Sequence, residues 1–225
     1  MNKNNNENFL ILDTETTGLD STAEIVEITV IDSKGQVLLD TLVKPVKPIP
    51  YQATAIHGIT NEMVANAPTY DEVHPKLIAL LKQFPCYIYN KGYDTKLIKQ
   101  SAQLYDIEFD STEYEFRCTM LEYSDKHSPQ KWAKLINAYN HAISVTKAEP
   151  ISLAAHRAYA DCLMTLEVIN FLEYEKQLEI EQEEAQLMGQ IQEELAIQTS
   201  IKPKFYSFNP NGMKSSRFSI KRKAA

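Results

Sequence analysis

The chain has 225 residues, 44% of them hydrophobic and 24% charged, with a formal net charge of −7. This is the composition of an ordinary globular protein, large enough for one well-buried domain and an appendage. It excludes a disordered, fibrous or membrane-embedded chain: residues 1–8 are polar with no apolar signal core, and no later run is long enough to span a bilayer, so a cytoplasmic location without membrane attachment is expected.

Residues 9–13 read as a first strand, an apolar run that closes on Asp13 with Glu15 two residues beyond. Side chains alternate along a strand, so both carboxylates point to one side, at the sheet edge where α/β folds place their ligands. Such a pair can hold a hard cation, although two acids closing a strand are by themselves more often a solvated turn. Residues 24–32 read as a second strand, with Val26, Ile28 and Val30 alternating against Glu27 and Thr29, and residues 36–43 as a third. The turn Asp32-Ser33-Lys34-Gly35 joins the last two as a hairpin.

Pro45, Pro48 and Pro50 argue against regular structure up to the loop Ile56-His57-Gly58-Ile59-Thr60. Two short helical segments follow, the second with Leu77, Leu80 and Leu81 on one side. Then come a strand at 86–89, a helix at 94–105, a strand at 114–118, a helix at 130–141 and a long helix from Ala158 onward. Three strands followed by alternating helices and strands indicate an α/β fold, a mixed sheet flanked by helices.

Between Glu173 and Glu194 the long helix carries eight glutamates and one lysine, with Leu187, Ile191 and Leu195 at four-residue intervals. The first reading is an acidic solvated face; the second is a stripe that pairs with another helix, in this chain or a second copy. Residues 201–225 hold seven basic residues and no acidic one, which leaves −14 on the rest of the chain. An acidic body restricts any contact with nucleic acid to a short, local surface aided by bound cations. The basic tail reads equally as an arm for phosphates, a docking peptide or a solubilising end. Cys86, Cys118 and Cys162 are widely spaced in apolar surroundings and read as reduced core residues. No internal repeat, zinc spacing, glycine-rich phosphate loop or nucleophile elbow is present.

Three further residues complete a constellation. Asp94 follows a strand in Tyr89-Asn90-Lys91-Gly92-Tyr93-Asp94, at a helix start where a carboxylate is a cap or a ligand. His156 and Asp161 are five apart, which is not one-face helical spacing, so the histidine is expected in a loop before the helix that bears the aspartate. A lone histidine there is a satisfied structural residue or a base.

In the order DxE, Asp, then His with Asp five residues on, the chain resembles the DEDDh 3′-5′ exonucleases. Asp13-Thr14-Glu15-Thr16-Thr17-Gly18-Leu19 matches the first motif, His57-Gly58-Ile59-Thr60 matches a family loop, and His156 to Asp161 matches the His-x-Ala-x-x-Asp motif. The second motif, His-Asn-Ala-x-Phe-Asp in the family, departs at Tyr89 and Lys91, which bears on substrate fit rather than chemistry, and Cys118 stands where a non-ligand aspartate is common. The resemblance covers residues 9–172. It implies a ribonuclease H-like mixed five-stranded sheet, with an exonuclease domain at 1–172, an acidic helical extension at 173–200 and a basic tail at 201–225.

The resemblance also implies two bound Mg²⁺ ions, with Mn²⁺ as substitute, held by Asp13, Glu15, Asp94 and Asp161, with His156 as general base. Thr16 and Leu19 are expected to grip a single-stranded 3′ end, helped by His57 and Asn90, with release of nucleoside 5′-monophosphates from DNA or RNA. A polymerase, or a second copy of the chain, is the candidate partner for the C-terminal helix and tail. The competing reading is an exonuclease-like scaffold that positions such a partner without catalysis.

Overall fold

The computed structural model describes residues 8–151 and 156–200; the polar opening and the basic tail lie outside the described residues, apart from Asn8. Five strands form one sheet: β1 (Leu10–Thr16), β2 (Ile25–Asp32), β3 (Val37–Leu42), β4 (Cys86–Ile88) and β5 (Phe116–Cys118). The order is β3-β2-β1-β4-β5; the β3–β2 and β2–β1 pairs are antiparallel, and the β1–β4 and β4–β5 pairs are parallel. This is the mixed five-stranded ribonuclease H-like architecture expected from the sequence.

The helices are α1 (Tyr51–His57), α2 (Asn61–Val64), α3 (Tyr70–Leu81), α4 (Lys91–Gln103), α5 (Thr119–His127), α6 (Leu135–Thr146) and α7 (Ala158–Ser200). Alternation along β1 sends Leu10 and Leu12 into a core with Leu77 and Leu81 of α3 and Leu97 and Ile98 of α4. Phe9 and Ile11 face the other way, onto Cys162, Leu166 and Ile169 of α7. The central strand is therefore covered on both sides, and each fully buried Leu or Ile contributes about 1.5–3 kcal/mol.

Several elements differ from the sequence expectation. Helix α1 forms immediately after the proline-rich stretch: Pro50 is its N-cap at φ −65°, already suited to a helix start, and Gly58 closes it at φ 75° in the left-handed region. The helix expected at 130–141 is α6, which starts and ends later, and α5, which follows directly on β5, is not among the expected helices; the loop between the two helices contains Pro129. Glu27 and Thr29, the polar half of the β2 alternation, are not solvated; they are 3% and 0% exposed, on the face that α7 covers.

The first compact unit runs Met1–Gln177 and contains the whole sheet. The second begins at Leu178; its described part is the end of α7, where Ile180, Leu187, Met188, Ile191 and Leu195 are exposed. Among the described residues no helix is long and apolar enough to cross a membrane.

Candidate active site

Strand β1 outruns its parallel neighbour: pairing with β4 covers Leu10 and Ile11, while pairing with β2 continues to Thr16. The far end of β1, which bears Asp13 and Glu15, is thus unpaired on the β4 side, and alternation turns both side chains to the same face as Phe9 and Ile11, the face that α7 covers. The register sets Asp13 opposite Thr29 and Glu15 opposite Glu27, so three carboxylates share one face of the sheet.

Helix α7 brings the next acid. Asp161 lies in its first turn, and one oxygen each from Asp13, Glu15 and Asp161 come within 4.8 Å of one another. All three residues are half-buried. Asp94 approaches from α4 on the opposite face: it is 4% exposed and accepts a 2.7 Å hydrogen bond from the Thr14 hydroxyl. It is not the cap of α4, which is Asn90, but stands in the first turn.

His156 precedes α7 in the left-handed conformation, φ 64°, and its side chain is exposed. Its backbone N–H donates to Asp161 Oδ1 at 3.3 Å, which holds the histidine beside the acids. The start of α7 is itself pinned. Glu27 accepts both the Arg157 guanidinium, with Nε 3.0 and 3.1 Å from its two oxygens, and the Ala158 N–H at 3.0 Å. Glu27 looks from sequence like one more polar strand residue; the mark that could have revealed it is a glutamate between Val26 and Ile28 in a strand apolar on both sides.

Crowding so many acids is costly, and the protonation equilibria record it. Burial, reinforced by the charges of Asp94, Asp161 and Glu15, raises the Asp13 carboxyl well above its ordinary range. Burial and the charges of Asp161 and Glu27 push Glu15 up to about 8. Burial pushes Asp94 up to about 7 against the opposing hydrogen bond from Thr14, and it raises Asp161 against the opposing His156 N–H. Arg157 is committed to Glu27, so the Asp13, Glu15 and Asp161 group has no paired cation among the described residues.

A cavity of about 330 Å³ adjoins the acids through Glu15 and is lined by Thr16, Leu19, His57 and Tyr93, among others. Leu19 is 79% exposed at its edge. Both His57 ring nitrogens are engaged: Nδ1 accepts the Ile59 N–H at 3.0 Å, so the proton sits on Nε2, which donates to the Thr16 carbonyl at 3.2 Å. Burial lowers its pKa, in keeping with that neutral form. His57 therefore offers the cavity its ring surface while fixing the backbone at Thr16. The Thr16 and Tyr93 hydroxyls both donate to the Gly18 carbonyl, at 2.9 and 2.7 Å, closing the turn after β1. Asn90 is exposed at the end of β4 and does not line the cavity.

Residues 10–169 match the family model RNase_T, described as exonuclease. The chain belongs to this exonuclease family. It is 46% identical over 173 residues to the uncharacterized exonuclease CP81 of Escherichia phage 186, covering 72% of this chain and 87% of that protein. Among solved structures it is similar to exonuclease X in complex with 5′ overhanging duplex DNA, at 27% identity and a TM-score of 0.55, over 74% of this chain and 92% of the other. The nuclease domain of 3′hExo, a DEDDh family member bound to rAMP, shares the fold at 14% identity and a TM-score of 0.57, over 75% of this chain and 92% of the other.

The chain is thus a DEDDh-type exonuclease by family and a nuclease by activity class. Its donor set fits the divalent cation on which such enzymes depend: the converging atoms are all carboxylate oxygens, suited to a hard ion, and their unrelieved repulsion is what a bound cation removes.

Proposed function

We propose that the protein is a metal-dependent 3′-5′ exonuclease that hydrolyses single-stranded nucleic acid ends to nucleoside 5′-monophosphates. The observation that carries this reading is the convergence of Asp13, Glu15 and Asp161 beside His156 in an exonuclease chain. Asp13, Glu15, Asp94 and Asp161 would hold Mg²⁺ or Mn²⁺, which when bound supplies Lewis-acid stabilisation of charge on the attacking and leaving oxygens.

The chain's own groups do the rest. An exposed imidazole nitrogen of His156 takes the proton of the attacking water and passes it to bulk solvent. Thr16 and His57, tied together at the end of β1, form the floor against which the terminal nucleotide is placed, and Leu19 covers its base. Glu27 and Arg157 act at one remove, by fixing the start of α7 and therefore the positions of His156 and Asp161.

DNA is the first substrate to test, since exonuclease X, similar over three quarters of the chain, is described in complex with duplex DNA. An oligonucleotide labelled at either end distinguishes polarity: a 3′ label should be released as mononucleotide at once, and a 5′ label should remain on progressively shorter strands. A chelator should stop digestion, and Mg²⁺ or Mn²⁺ restore it. Digestion from the 5′ end, or digestion indifferent to chelation, would refute the reading. The scaffold alternative, in contrast, expects no digestion at all.

A further inference from the structure

The loop between α5 and α6, residues 128–134, carries Lys131, Trp132 and Lys134, all exposed on a body that is otherwise strongly acidic. Trp132 is 68% exposed and is the chain's single tryptophan. Leaving so large an apolar ring in water has no folding benefit. Neither lysine is in an ion pair with the described residues, in contrast to Arg117, Lys126 and Arg157, which are.

The loop is held in place from the active-site side of the sheet. The Tyr89 hydroxyl donates to the Ala133 carbonyl at 2.8 Å, and the Ala133 N–H donates to Ser124 Oγ at 3.2 Å. The Ser128 hydroxyl closes the loop on the Lys131 carbonyl. Tyr89 follows directly on β4 and precedes Asn90, the cap of the helix that bears Asp94. It is also one of the two positions where the second motif departs from the family pattern. The departure gains a hydroxyl that reaches 44 residues along the chain to fix a basic, aromatic loop at the C-terminal end of β4.

We infer that this loop is a binding surface for single-stranded nucleic acid, with Trp132 stacking on a base upstream of the scissile bond and Lys131 and Lys134 contacting its phosphates. The inference rests on the exonuclease reading above and extends it, by placing the strand beyond the terminal nucleotide. A planar ring flanked by ammonium groups is the chemistry that grips a single strand irrespective of its sequence. On a body carrying −14 outside the tail, a short cationic surface is where a polyanion can approach.

Because Trp132 is the only tryptophan, its emission in the full-length protein reports the contact directly. With chelator present to prevent digestion, an eight-nucleotide thymidylate should quench that emission, and added salt should reverse the quenching. Thymidine 5′-monophosphate, which reaches only the cavity beside Glu15, should not quench. Trp132→Ala should weaken binding of the octamer, followed by anisotropy of a labelled strand, by about 5- to 150-fold, whereas Trp132→Phe, which keeps a stacking ring, should recover most of it. Replacing Lys131 and Lys134 by Ala should lower the slope of log affinity against log salt by about 0.7 for each phosphate that is no longer neutralised. Digestion of the octamer without quenching would overturn this role and leave the proposed reaction standing; quenching without digestion would support the loop and sink the reaction. A protein partner as the true occupant would show as emission unmoved by any strand, which also overturns the proposal.

Discussion

Arg157 and Glu27, 130 residues apart in sequence, form a forked ion pair that closes the start of α7 onto the middle of β2. Glu27 is 3% exposed, and removing its partner would leave a buried carboxylate beside Glu15 with one remaining donor, the Ala158 N–H. Arg157→Ala is therefore expected to cost about 2–4 kcal/mol, read as a lower denaturant midpoint at unchanged slope. Arg157→Lys keeps the charge but not the fork and should recover only part of the loss. A variant as stable as the parent would show that α7 is held by apolar packing alone.

The acid cluster makes stability depend on pH in a defined direction. Glu15 and Asp94 titrate at about 8 and about 7 in the folded chain, against about 4 for unfolded carboxyls. The folded state thus binds more protons than the unfolded state between roughly pH 4 and 8, so stability is greatest at the acid end of that window and is lost as pH rises through it. Chelator-treated protein should melt at a higher temperature near pH 5.5 than near pH 8, each 1 kcal/mol being about 2–4 °C in a chain of this size. Mg²⁺ or Mn²⁺ should raise the melting temperature more at the alkaline end. The reverse order would mean that the acids are not crowded in solution as they are here.

Asp13→Asn tests the same repulsion at its centre. The substitution removes one charge from a group that Asp94, Asp161 and Glu15 all disfavour. It should stabilise the chelated protein near pH 8 by about 1 kcal/mol or more, abolish the thermal response to divalent ions and end hydrolysis. Destabilisation in the chelator would instead assign Asp13 a structural hydrogen-bonding role.

His156 separates chemistry from folding, because its side chain is exposed and its backbone is strained at φ 64°. His156→Gly relieves the strain and His156→Ala does not, so the two should differ in stability by about 1 kcal/mol in favour of glycine. Both should lose about 10²- to 10⁴-fold in the single-turnover rate of oligonucleotide hydrolysis, as expected for a missing general base. Full activity in either would remove His156 from the mechanism.

Tyr93→Phe addresses the turn after β1. The missing hydroxyl leaves the Gly18 carbonyl with the Thr16 hydroxyl alone. The expected cost is about 0.5–1.5 kcal/mol in stability, with a rise in KM for oligonucleotides larger than any fall in kcat, because the turn shapes the cavity and not the acids. An unchanged KM would show that the turn keeps its form without Tyr93.

The strands are legible where their signals are local. Alternation and the Asp32-to-Gly35 turn mark β2 and β3, and the apolar run marks β1, though the strand continues past Asp13 to Thr16. Helix α1 is hidden because a proline can open a helix as readily as it can break one, and sequence alone does not say which neighbour will use it. The missed α5 and the late start of α6 are hidden for a related reason: the loop between them, which opens at Pro129, takes its form from Tyr89 and Ser124, and Tyr89 lies far from it in the chain.

By itself the sequence determined which side chains are available for chemistry: a DxE pair on a strand, two further aspartates and a histidine, in an order that marks the family. It also determined that Asp13 and Glu15 share a face, since a strand repeats every two residues whatever surrounds it. Only the tertiary structure decided what the other polar residues do. Glu27 became a buried anchor, His57 a fixed neutral prop and Trp132 an exposed ring, because each role follows from which distant segment packs beside the residue, and packing is not a property of local sequence.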